Sequence, residues 1–146
     1  MALLAQAVQD QQKRTLIIKD CAALIDDQVS KKRGMTGIAV KGAFKMIRSF
    51  KPGIIPRSID DMLDEFSVKI DPFWTRCQEE QSDPAQFFTR NSTDISNALL
   101  SITDERARNS PNKVLIKAYG SLRKKAVEHV SDALPDLARL IAKHAS

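Results

Sequence analysis

The stretch from Gly34 to Trp74 restricts the fold more than any other part of the chain. Between Gly37 and Phe50, the residues Val40, Ala43, Phe44, Ile47 and Phe50 recur at helical spacing. At 100° per residue they fall on one apolar arc. From Ile59 to Trp74, the residues Ile59, Met62, Leu63, Phe66, Ile70, Phe73 and Trp74 share a second arc. Lys51-Pro52-Gly53 separates the two, because proline lacks a backbone donor and restricts the residue before it. Pro56 suits the opening of the second helix, and Thr36 can cap the first. The pattern predicts a central helical hairpin, about 37–50 and 57–80. The apolar phase runs on through Asp71-Pro72, which predicts a kink rather than a new helix.

The rest of the chain follows the same period. Ile17, Cys21, Leu24, Ile25 and Gln28 predict a helix over 15–29, with Gly34 free to take a left-handed end. Asp83-Pro84 opens a short helix carrying Phe87 and Phe88. Ser92 or Thr93 can cap another, with Ile95, Ala98, Leu99 and Ile102 inward. A last long helix starts near Pro111 and carries Leu115, Ala118, Tyr119, Leu122, Ala126, Val130 and Ala133 on one arc. Pro135 kinks or restarts it. No run alternates with period two, and no repeat is visible. The expected fold is therefore all-α: a single-domain helical bundle of six to eight helices over 1–146. Residues 1–12 hold at most a short helix before the polar Asp10-Gln11-Gln12, and are expected to be mobile. A chain of 146 residues can bury a core without disulfides or metal.

Two cysteines, Cys21 and Cys77, lie far apart and match no zinc spacing. They read as reduced, partly buried thiols. No apolar run reaches the ~18 residues of a membrane span, and the N-terminus is too polar for a signal peptide. The expected location is the cytoplasm.

Charge is the remaining signal. The net charge is +5, but residues 28–59 sum to +8 with no acidic residue, and residues 60–83 sum to −6. The expected anion or polyanion site is built from Lys31, Lys32, Arg33, Lys41, Lys45 and Arg48. A second basic group, Lys113, Lys117, Arg123, Lys124 and Lys125, follows later. The bland alternative is an internal seam, in which Lys41, Lys45 and Arg48 face Asp60, Asp64 and Glu65. The segment KGAFKMIRSFK also has the form of a basic interfacial helix, although a core use of Phe44, Ile47 and Phe50 is preferred. Gly34-Met35-Thr36-Gly37 reads as two glycines at a helix–helix turn before it reads as a phosphate loop. Asp60, Asp64 and Asp71 share a helix face, but they read as a solvated acidic face rather than a metal site. His129 and His144 lie near no nucleophile motif and read as surface or boundary residues.

The segments KPGIIPRSID (51–60), DPFW (71–74), ALLSITDERA (98–107) and KAYGSLRKKAVEHVSDALPDLARLI (117–141) resemble a family of short bacterial proteins without assigned function. The resemblance covers Leu16 to Ile141. It implies a small all-helical cytosolic protein and carries over no catalytic, cofactor-binding or metal-binding residue. The preferred function is a non-enzymatic helical binding or interaction module, with a protein partner or a second copy as its partner and no cofactor. The alternatives are nucleic-acid or other polyanion binding through the basic faces, and an enzyme with an unrecognised site.

Overall fold

A computed structural model describes residues 3–145. Among them are eight helices and no strand. These are α1 (Leu4–Ala7), α2 (Gln11–Lys31), α3 (Gly34–Phe50), α4 (Ile54–Glu79), α5 (Pro84–Arg90), α6 (Ser92–Arg108), α7 (Lys113–Arg123) and α8 (Ala126–Ala145). The chain is an all-α bundle, as its periodicity predicts.

Side-chain caps start several helices. Asp10 accepts from the amides of Gln12 and Lys13, so the polar break before α2 is its cap. Asp83 accepts from Gln86 at α5, and Asn112 from Val114 and Leu115 at α7. Each satisfies amides that the first helical turn leaves open. Thr36, Ser92 and Thr93 do not act as the predicted caps, because each already lies inside its helix. Gly34 has φ +68° and Gly53 has φ +72°, the left-handed conformation that glycine adopts without strain. Gly37 has a different reason to be glycine. A Cβ there would sit 2.7 Å from the carbonyl carbon and oxygen of Lys32, so the end of α2 could not pass so close to α3.

The hairpin of α3 and α4 forms, and α4 begins at Ile54, which places Pro56 within its first turn. Pro72 lies inside α4, and the helix continues to Glu79. The arms of the hairpin bury differently, however. α4 packs on α6, α1 and α2, whereas α3 packs most extensively on α7. The centre of the core is α8, flanked by α5, α2 and α6. Phe87, Phe88, Ile95, Leu134, Ala138 and Ile141 are fully buried there with Trp74 and Ile70 of α4. No residue of α3 or α7 belongs to this cluster.

The predicted last helix is two helices. The break at Lys124-Lys125 has no proline or glycine, and Lys124 keeps helical dihedrals of φ −57° and ψ −36°. It is therefore a tertiary effect. α7 turns to lie on α3, while α8 turns to lie on α5 and α2. Pro135 lies inside α8 without ending it.

The N-terminal stretch has an anchor that its sequence does not announce. Asp71 accepts from the amides of Leu4 at 2.8 Å and Ala5 at 3.1 Å, and Leu4, Ala7 and Val8 are buried. A carboxylate at these open amides also meets the positive end of a helix.

Candidate binding cavity and the basic helix

The helices leave a cavity of about 360 Å³ that every helix except α5 helps to line. Its walls are mainly aliphatic and aromatic: Val40 and Phe44 from α3, Ile59 and Phe66 from α4, Leu122 from α7 and Leu137 from α8 are typical. Packed interiors hold few voids larger than one water. An apolar void of ~150 Å³ stays dry and takes up benzene. A space more than twice that size lies within the range of small-molecule pockets, ~300–1,000 Å³.

Several polar side chains reach this space, and most are satisfied. Gln28 donates to Asp136 at 3.1 Å, and Lys32 pairs with Asp132 at 2.9 Å. The Tyr119 hydroxyl lies 2.7 Å from that of Thr103 and donates to Asp104 at 2.5 Å. Burial and the bond to Asp104 push the Tyr119 hydroxyl up to about 12, so it stays protonated. Asp104 sits below the usual carboxylate range: burial works to raise it, but hydrogen bonds from Tyr119 and Arg123 prevail.

His129 differs. It lines the cavity, and its Nδ1 is buried with no hydrogen-bond partner. Burial lowers its pKa, with the positive charge of Lys32 adding to the effect, so the neutral imidazole is favoured. A buried polar atom left unpaired costs roughly 1–3 kcal/mol. Cys21 also lines the cavity. Burial, reinforced by Asp20, pushes its thiol up to about 12, which keeps it in the unreactive form. His144 is elsewhere, buried with Nε2 2.7 Å from Asp20 Oδ2.

Of the six predicted basic residues, three are held in ion pairs. Lys31 pairs with Asp27, Lys32 with Asp132, and Arg48 with Asp26. Arg33, Lys41 and Lys45 are exposed and make no ion pair among the described residues. The internal seam with α4 does not form. Asp60 and Asp64 are held by Arg14 of α2, at 2.8 and 3.1 Å, and Glu65 by Arg106 of α6. The acidic arc of α4 turns to those helices, whereas the free lysines of α3 face solvent. Asp71 is committed to α1, away from Asp60 and Asp64.

The sequence profile of a family of unknown function, DUF6918, matches residues 4–145. The chain belongs to this family. No curated protein and no solved structure matches it. For this DUF6918 member, any functional reading therefore rests on the cavity and the charged surface themselves. No helix among its described residues is long and apolar enough to cross a membrane.

The sequence reading missed the cavity and the position of His129. Many of its lining residues, such as Val40, Phe44, Ile59, Phe66, Leu122 and Val130, read as inward-facing from the sequence, but Leu100 and Thr103 do not, and Lys32 reads as part of an anion site. Periodicity reports which face turns inward, and it is silent on whether the inward faces meet.

Proposed function

We propose that the protein is a non-enzymatic binding module, and that its ligand is an apolar small molecule held in the interhelical cavity. The observation that carries this reading is a space of about 360 Å³ walled almost entirely by hydrocarbon, with seven helices contributing to its lining. Bundle interiors are a common place for such sites. An aliphatic chain would replace missing wall contacts, each worth little alone but large in sum. The unpaired thiols Cys21 and Cys77 suit a reducing compartment such as the cytoplasm.

Titration with n-decanol, followed by calorimetry and by thermal unfolding, tests the proposal. Saturable one-to-one binding and a higher Tm are expected, with ~2.7 kcal/mol of added stability at a hundredfold excess over Kd. Absence of saturable binding by n-decanol and by decanoate would overturn it.

A further inference from the structure

α3 is amphipathic twice over. Its inner arc, Val40, Ala43 and Phe44, faces the bundle and the cavity. Its outer arc carries Met35, Ile38, Met46 and Phe50, which are 85%, 72%, 46% and 44% exposed. At 100° per residue these four fall on one side of the helix with Gly42 between them, and Lys41 and Lys45 run along one edge. Both lysines are exposed and without an ion pair among the described residues, and residues 28–59 contain no acidic side chain. Lys51 lies at the end of the arc, its ammonium 6.0 Å from the Phe50 ring centroid. α7, packed against α3, exposes Val114 and Ile116.

We infer that the outer face of α3 docks this protein on an anionic lipid bilayer. Three occupants would cover exposed apolar surface beside free cations, and the details separate them. A second copy seated face to face with the helices antiparallel would bring the Lys41 and Lys45 edges together, and in either direction it would leave these cations without an opposite charge, since residues 28–59 hold no acidic side chain. A nucleic acid would use the lysines but leave Met35, Ile38 and Met46 without a role, because phosphate contacts are polar and base stacking needs aromatic platforms. A bilayer uses both. Apolar side chains of an interfacial helix enter the headgroup boundary while the flanking lysines meet anionic headgroups. A single convex helix also suits a flat surface better than it suits a partner that needs a groove. The inference stands apart from the cavity reading, although Val40 and Phe44 make the same helix a wall of the cavity.

Vesicle co-sedimentation tests it, with phosphatidylcholine alone and with phosphatidylcholine containing phosphatidylglycerol, at low and high salt. Wild-type protein should bind the anionic vesicles, bind neutral ones far less, and be released by salt. Lys41→Gln and Lys45→Gln should each weaken binding about five-fold. Ile38→Asp should abolish it with an unchanged Tm and circular dichroism spectrum, because Ile38 is 72% exposed and lies outside the core cluster. No binding to anionic vesicles, equal binding to neutral ones, or indifference to Ile38→Asp would overturn the inference. A dimer in light scattering that Ile38→Asp dissolves would assign the face to self-association. Duplex DNA bound as tightly as vesicles, and unaffected by Ile38→Asp, would assign it to polyanions. Either result would also overturn the inference. No cavity ligand enters the assay, so its outcome is separate from that of the n-decanol titration.

Discussion

The side of the bundle built on α5 and α8 differs from the side built on α3 and α7 in how its apolar residues are used. On the first side Phe87, Phe88 and Ala138 are fully buried and none of them lines the cavity, although other residues of α8 do. On the second, Val40, Phe44, Tyr119 and Leu122 stand around a space. The apolar arcs are equally regular in both. Charge differs too: the acidic arc of α4 is met by Arg14 and Arg106, whereas Lys41 and Lys45 on α3 have no such partner among the described residues.

The largest expected effect compares two phenylalanines. Phe88→Ala should cost about 3–5 kcal/mol, the usual loss for a fully buried ring. Phe44→Ala, already facing space and partly exposed, should cost less than about half of that. Urea unfolding of both variants checks this, and equal losses would erase the distinction between the two sides.

The next comparison lies within α8. Ala138 is fully buried, and Ala133 lines the cavity. Ala138→Leu should destabilise by about 1–3 kcal/mol through overpacking. Ala133→Leu should stabilise by about 1–2 kcal/mol, since the added methylenes enter open apolar space. The same variant should weaken n-decanol binding. Thermal and chemical unfolding give the signs, and a shared sign at both positions would break the comparison.

The smallest effect concerns His129. Its pKa is lowered in the fold by burial, with Lys32 adding to it, so the unfolded chain binds the proton more readily. The contribution of the neutral ring is full above the usual histidine value of ~6.5 and is lost as pH falls through the lower folded value. Stability should therefore fall on acidification across that window. The slope should be shallower in His129→Leu, which should also gain about 1 kcal/mol from removal of the unpaired nitrogen. Unfolding at stepped pH measures both.

Much of the fold was legible residue by residue. The arcs of α3 and α4, the elbow at Lys51-Pro52-Gly53 and the inward Phe87 and Phe88 follow from local rules of spacing and backbone geometry, except that Phe50, expected in the core, is exposed at the edge of the α3 arc. The join between α7 and α8 was not legible, because Lys124 is locally helical and the turn exists only to let each helix reach its own neighbour. The basic residues were visible as a group, but their partners were not. Lys32 reaches Asp132 across 100 positions of sequence, and Arg14 reaches Asp60 across 46.

The sequence by itself determined that this chain is helical, where most helices run and which side of each turns inward. Those properties depend on neighbours within a turn or two, through backbone hydrogen bonds and the 3.6-residue period. Only the tertiary structure decided that the inward faces of the helices leave a space between them, and that among the described residues Nδ1 of His129 has no hydrogen-bond partner and Lys41 and Lys45 no ion pair. Each is a matter of how far apart helices come to rest. That distance is set by all the side chains between them at once, and no single arc records it.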